Sequence, residues 1–153
     1  MGQKTTPRIG DAFQKAIPQP LKMTRFLLDT NIIVDVLRRR PDTRLLIENL
    51  LNQGQPLAAC PITITEVYAG MRAHEEKATR ELMRSLVFLP VTSEIAEHAG
   101  HLKARYARRG KALSVQDATI AAVSIAYSCA LVTRNIRDFP MPELELYPLP
   151  KAA

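Results

Sequence analysis

The stretch Arg25-Phe26-Leu27-Leu28-Asp29-Thr30-Asn31 decides the fold of this chain, because an apolar run leads directly into three polar residues. The apolar run indicates a strand of a parallel sheet that is covered on both faces. The next apolar residues recur at helical spacing: Ile32, Ile33, Val36 and Leu37. Asp29 is therefore predicted to lie where a parallel strand ends and a helix begins. The ligand crevice of an open α/β sheet lies at that end of its strands.

Strands and helices alternate along the rest of the sequence. Apolar runs bounded by turn residues predict further strands at 57–60, 87–89, 131–133 and 145–148. The last of these contains and precedes prolines, which favours an edge position. The alternation predicts a three-layer α/β/α domain with a central, mostly parallel sheet of four to five strands and right-handed crossovers.

The chain of 153 residues is long enough for one domain with a real core. Its hydrophobic content of 46% and charged content of 24% are ordinary for a globular protein. Residues 1–22 contain three prolines and little apolar periodicity. The sequence therefore predicts an N-terminal extension over 1–22, mostly irregular, followed by a single domain over 23–150.

Composition also bears on compartment and partners. Cys60 and Cys129 lie in apolar surroundings and are predicted to be buried reduced thiols, which favours the cytoplasm. The longest uncharged run has 16 residues, fewer than the about 20 of a membrane span, so no membrane association is expected. The net charge of +6 suggests an anionic partner, most often nucleic acid. Half of that charge comes from residues 1–22, which leaves the domain only mildly basic.

Three further acids occupy positions comparable to Asp29: Glu66, Asp117 and Asp138. Glu66 is predicted in the first turn of the helix after the second strand, and Asp117 in the first turn of a central helix. Asp138 follows the fourth strand. Because the carboxyl ends of parallel strands share one edge of a sheet, these acids are predicted to meet in one crevice.

Carboxylates gathered in one crevice repel one another by about 4 kcal/mol per pair at 4 Å and an effective dielectric constant of 20. No Lys or Arg recurs beside each acid at a matching spacing. A divalent cation is therefore predicted, and oxygen ligands suit Mg²⁺ or Mn²⁺. Such an ion supports in-line attack on a phosphodiester.

Local helix capping offers a competing explanation for the same acids. Asp29, Thr30 and Asn31 are all favoured N-cap residues. Thr63-x-x-Glu66 and Ser114-x-x-Asp117 fit the capping box or its Asp variant. The residues alone leave capping and metal binding open.

Four motifs in order carry a resemblance to a known family. They are Leu-Leu-Asp-Thr-Asn, Ile-Thr-x-x-Glu, Gln-Asp-Ala-x-Ile-Ala-Ala and Leu-Val-Thr-Arg-Asn-x-x-Asp-Phe. From Arg25 to Tyr147 the sequence resembles PIN-domain ribonucleases, and more narrowly the VapC toxins of toxin–antitoxin pairs. The resemblance implies a Mg²⁺-dependent endoribonuclease that cuts structured RNA, often tRNA or rRNA. It also implies a cognate antitoxin whose C-terminal tail enters the active-site groove, and a homodimer or a larger toxin–antitoxin assembly.

The resemblance also implies roles for individual residues. Asp29, Glu66 and Asp117 match the acidic metal-binding and catalytic triad. Asn135 stands where many relatives have Asp, whereas Asp138 keeps the acid three residues later and is expected as an outer catalytic acid. Asn31, Thr133 and Asn135 are expected to orient the acids by hydrogen bonds. Arg134 and Arg137 are expected to contact a substrate phosphate.

Two other functions fit the sequence. A catalytically silent PIN-like module that binds RNA or protein would explain Asn135 as the mark of a decayed site. A metal-dependent DNA nuclease would use the same metal chemistry on a different sugar backbone. Only the family resemblance favours RNA over DNA.

Overall fold

The computed structural model describes residues 26–54 and 56–149. The predicted extension at 1–22 lies outside the described residues, as do the first three residues of the predicted domain. The described elements alternate as expected. The strands are β1 (Phe26–Leu28), β2 (Leu57–Ala59), β3 (Val87–Phe88) and β4 (Ala130–Val132). The α-helices are α1 (Thr30–Leu37), α2 (Pro41–Leu51), α3 (Pro61–Gly70), α4 (Glu76–Ser85), α5 (Ser93–Ala107) and α6 (Val115–Ala126). Two short 3₁₀ helices cover Ala73–Glu75 and Ile136–Asp138.

The four strands form one parallel sheet in the order β3-β2-β1-β4. β1 comes first in the sequence but lies inside the sheet, with Phe26 opposite Leu57 on one side and Ala130 on the other. The predicted fifth strand is reduced to a single parallel bridge between Leu146 and Leu131 beside β4. It lies at the edge, where its prolines cost no ladder hydrogen bond.

Helices cover both faces of the sheet, which confirms the predicted three layers. The face that carries Leu27, Ala58 and Leu131 packs against apolar residues of α5 and α6. The opposite face, with Phe26, Leu28 and other apolar strand residues, packs against α1 to α4. Strand residues are buried on both sides, as the uninterrupted apolar run of β1 predicted.

Two smaller expectations can also be compared with the structure. Both cysteines are buried thiols, as predicted. Within residues 26–54 and 56–149, no helix has the length and apolar character needed to cross a bilayer.

Candidate active site

Asp29 ends β1 and begins α1, so it lies at the carboxyl edge of the sheet. It caps the helix, because its Oδ1 accepts a hydrogen bond from the Thr30 amide at 2.7 Å. Its Oδ2 accepts from the Thr133 hydroxyl at 2.7 Å and from Asn31 Nδ2 at 3.1 Å. Only 5% of the residue is exposed. The capping and site interpretations of Asp29 are therefore compatible, because Oδ1 caps the helix while Oδ2 is held by Thr133 and Asn31.

Thr133 connects β4 to this corner. Its hydroxyl donates to Asp29 and accepts from the Asn135 amide at 3.0 Å and from Asn31 Nδ2 at 3.4 Å. The Asn31 carbonyl oxygen in turn accepts from the Arg134 amide at 3.2 Å. These bonds hold the segment after β4 against the first turn of α1, and they fix the Asp29 carboxylate between two strands.

Glu66 joins the corner from α3, but not in the way that the sequence predicted. The helix begins at Pro61 with Cys60 as its N-cap, so Glu66 lies in the second turn and outside a capping box. Thr63 is fully buried and its hydroxyl lies 3.7 Å from the Cys60 sulfur. The Glu66 carboxylate is free to accept a hydrogen bond from the Thr30 hydroxyl at 3.2 Å. The capping explanation of Glu66 is therefore wrong.

Asp117 and Asp138 approach from the C-terminal part of the chain. Ser114 caps α6 by accepting from the Asp117 amide at 3.0 Å, so the predicted cap exists and places Asp117 in the first turn. Asp138 ends the 3₁₀ helix after β4. The Lys111 ammonium group donates to the carbonyl of Arg137, which braces that turn.

The four carboxylates influence one another electrostatically. Burial raises the pKa of Asp29, and the charge of Asp138 raises it further. Hydrogen bonds from Thr133, Thr30 and Asn31 lower the same pKa, but they do not cancel the rise. Burial also raises the pKa of Asp117 against a hydrogen bond with Ser114, and the charges of Asp138 and Asp29 raise it further.

The pKa of Glu66 is raised by burial and by the charges of Asp29 and Asp117, with the Thr30 hydrogen bond opposing. The charge of Asp29 thus acts on Glu66 and Asp117, and the charge of Asp138 acts on Asp29 and Asp117.

The donor set fits a partly hydrated Mg²⁺. Among residues 26–54 and 56–149, no Lys or Arg forms an ion pair with any of these four acids. In the same part of the chain, no three His, Cys, Asp or Glu side chains are arranged as a ready cage for a metal ion. A complete cage is not what Mg²⁺ needs, because it commonly takes one or two carboxylates together with water and substrate phosphate.

The other predicted site residues have distinct positions. Asn135 is exposed and contributes its backbone amide to Thr133. Arg137 is exposed beside Asp138. The Arg134 guanidinium instead contacts Asp35, Asp42 and Thr43, at the corner between α1 and α2.

Sequence reasoning missed two contributors to the site. Thr30 was considered only as a cap, yet its hydroxyl links the Asp29 corner to Glu66. Asp35 was not singled out, although an acid within the apolar stripe of α1 is buried and must have a partner. That stripe was the signal that could have identified it.

Known proteins resemble this chain in sequence and in fold. A PIN-domain sequence profile matches residues 26–140. The chain is 37% identical to Ribonuclease VapC19 of Mycobacterium tuberculosis over 120 residues, which is 78% of this chain and 96% of the relative. It is 31% identical to Ribonuclease VapC2 of Haemophilus influenzae over 123 residues, covering 76% and 91%.

Among solved structures, a toxin–antitoxin complex from Klebsiella pneumoniae contains a chain that is 30% identical to this one. The two chains superpose with a TM-score of 0.65, and the match covers 77% of this chain and 93% of the other. The order of the strands, the acids at their carboxyl ends and these similarities lead to one conclusion. The chain belongs to the PIN-domain family and, within it, to the VapC-type ribonucleases.

Proposed function

We propose that this protein is a Mg²⁺-dependent endoribonuclease toxin that cuts structured cellular RNA, of the tRNA or rRNA class, and is neutralised by a cognate antitoxin. One observation carries the proposal: Asp29, Glu66, Asp117 and Asp138 influence one another's pKa values at the carboxyl edge of a parallel sheet, and no described Lys or Arg forms an ion pair with them. The names of its relatives as ribonucleases favour RNA, and a relative found in a toxin–antitoxin complex favours an antitoxin partner.

The residues that would hold the ion are Asp29, Glu66 and Asp117, with Asp138 beside them. When bound, Mg²⁺ supplies a Lewis acid that stabilises the negative charge developing on a phosphodiester. The protein's own contribution is to hold the acids still. Asp29 accepts three hydrogen bonds, so its carboxylate has a fixed orientation before any ligand arrives.

The remaining residues act on the substrate side. Arg137 is exposed next to Asp138 and is proposed to contact a phosphate near the acids. Asn135 is exposed at the same edge and supports Thr133 through its amide. We further propose a homodimer, as the family resemblance implies. We also propose a larger assembly with the antitoxin, because a chain that resembles this one is found in a toxin–antitoxin complex.

Cleavage assays test the proposal directly. Folded tRNA and rRNA fragments, with single- and double-stranded DNA of matched sequence, are incubated with Mg²⁺, Mn²⁺ or EDTA. We expect cleavage of folded RNA only with a divalent ion, and its loss in Asp29→Asn and Asp117→Asn. Glu97→Gln is the control, because it removes an acid from an exposed helical surface. Preferred cleavage of DNA would establish the DNA nuclease, and no cleavage of any polymer would favour the silent binding module.

Metal binding has a separate readout in thermal unfolding. An ion at 100 times its dissociation constant adds about 2.7 kcal/mol to the free energy of unfolding. For a chain of this size we expect millimolar Mn²⁺ to raise the Tm of the wild type by about 5–10 °C. Asp29→Asn should lose most of this shift, whereas Glu97→Gln should keep it. Equal shifts in all three proteins would mean that the ion binds elsewhere.

A further inference from the structure

Arg134 lies beside Thr133 in sequence, but its side chain leaves the acidic crevice. Its Nε donates to Asp35 Oδ2 at 2.6 Å. One terminal nitrogen, Nη2, donates to Asp42 Oδ2 at 3.0 Å and to the Thr43 hydroxyl at 2.6 Å. The guanidinium thus ties the segment after β4 to the end of α1 and the start of α2.

Two of the three partners of this guanidinium are withdrawn from water, whereas Asp42 is exposed. Asp35 is 7% exposed and Thr43 is fully buried. Asp35 also has a second cation, with Arg40 Nε at 3.4 Å from its Oδ1. Burying a carboxylate costs free energy unless it is paired and hydrogen-bonded. Loss of the contact between Arg134 and Asp35 would therefore be costly, which keeps the guanidinium in place.

The backbone of Arg134 is fixed as well. Its amide donates to the Asn31 side-chain oxygen at 3.2 Å. The nitrogen of the same Asn31 side chain donates to Asp29 Oδ2. A short chain of hydrogen bonds therefore runs from the Asp35 carboxylate through Arg134 and Asn31 to the central acid of the site.

We infer that Arg134 is a positioning residue for Asp29, which acts by anchoring the β4 segment to the α1–α2 corner, and not a contact for substrate phosphate. The inference rests on the proposed nuclease function. Two carboxylates already offset the charge of its guanidinium, which leaves it a weak attractor for a phosphate. Its anchoring instead keeps Thr133 and Asn31 within hydrogen-bonding distance of Asp29.

A double-mutant cycle on cleavage separates the two roles. If Arg134 positions Asp29 through Asp35, Arg134→Gln and Asp35→Asn should each lower kcat about 10–100-fold with little change in KM, in the range found for groups that orient metal ligands. The double variant should be no worse than the more severe single one. Arg134→Lys should not rescue kcat, because an ammonium group cannot reproduce the planar fork.

A substrate contact gives the opposite pattern. KM would rise, the lysine variant would retain most of the activity, and the two single effects would multiply in the double variant. That result would overturn the inference. Arg137→Gln is the matched comparison, since this exposed arginine three residues away is expected to change KM.

Nuclear magnetic resonance tests the anchor without any activity. In ¹⁵N-labelled protein, Asp35→Asn should shift the Arg134 Nε–H signal and also the side-chain amide signals of Asn31. If Asp35→Asn fails to fold, the same measurement can be made on Asp42→Asn, which changes the exposed partner of Arg134. Shifts confined to the arginine would overturn the inference. If wild type cuts no RNA but both groups of signals move, the proposed function fails while the anchor stands.

Discussion

At the scale of single residues, Asp29 shows how one side chain serves the fold and the site together. One oxygen caps α1 and the other reaches Thr133 across the sheet. Sequence reasoning singled out Asp29, Glu66 and Asp117 because each was predicted to follow a strand or to lie in the first turn of a helix. It could not identify the partners of Arg134, because Asp35, Asp42 and Arg134 are distant in sequence and meet only when the helices are packed.

The fourth acidic position can be assigned by substitution. The charge of Asp138 raises the pKa of both Asp29 and Asp117, whereas Asn135 is exposed and uses its backbone amide. We expect Asp138→Asn to lower kcat about 10–100-fold, as for groups close to a metal site. Asn135→Ala should stay within about threefold of wild type, since its amide contact remains. Equal losses in the two variants would refute this assignment.

The raised pKa values make a prediction about pH. In the folded protein the carboxyl groups of Asp29, Glu66 and Asp117 bind protons more tightly than in the unfolded chain, where their pKa values are the ordinary 3.8, 4.5 and 3.8. Their contribution to stability is therefore lost as the pH rises through the raised folded values, and it returns as the pH falls toward the ordinary values.

Asp117→Asn removes one of these charges. In EDTA at pH 7.5 we expect its Tm to exceed that of wild type, by a few degrees at most because water screens a half-exposed carboxylate. The difference should shrink as the pH falls from 7.5 toward the ordinary pKa value of 3.8, because the raised pKa of Asp117 makes the wild-type carboxylate take up its proton during that fall. Thermal unfolding by circular dichroism across this pH range measures it. A variant that is less stable than wild type at pH 7.5 would contradict the repulsion.

At the scale of elements, helix starts determine where the acids point. The structure begins α3 at Pro61, which moves Glu66 into the second turn and turns it toward Thr30. The sequence predicted the helix but not its first residue, because Thr63 fits an N-cap, whereas the structure has Cys60 as the N-cap three residues earlier. The start of α6 was predicted correctly, since Ser114 caps it.

Two N-caps offer a matched pair of variants. Ser114 and Thr92 each accept a hydrogen bond from the amide three residues later, at 3.0 and 3.2 Å. Replacing either with Ala should cost about 1 kcal/mol of stability. Only Ser114→Ala should also reduce cleavage, because Ser114 sets the helical turn that carries Asp117. Chemical denaturation and kcat measured on both proteins test this, and a comparable loss of kcat in Thr92→Ala would show that lowered stability alone is responsible.

At the scale of the whole molecule, the alternation of strands and helices was sufficient to predict a parallel sheet between two helical layers. It was not sufficient to predict the extent of the fifth strand. Leu146 forms only one bridge, because ladder pairing depends on how the chain after β4 returns to the sheet edge. The strand order likewise became known only from the structure, since periodicity carries no information about neighbours.

The predicted domain boundary can be tested by truncation. The PIN-domain match begins at residue 26, so we expect a protein that starts at Met23 to fold and to cleave like the full chain. Its Tm should agree with that of the full chain within about 2 °C, which for this size corresponds to less than about 1 kcal/mol. Insoluble protein, or a large loss of Tm, would mean that residues 1–22 belong to the folded domain.

The position of β1 inside the sheet has a consequence for the order of synthesis. Asp29 depends on a hydrogen bond from Thr133, which follows it by 104 residues. Both β4 and the Arg134 anchor emerge from the ribosome long after the first strand. In a nascent chain, Asp29 is therefore synthesised early, and Thr133, which orients its carboxylate, is synthesised late. We expect an oriented active site to form on the ribosome only after the segment that carries Thr133 and Arg134 has emerged.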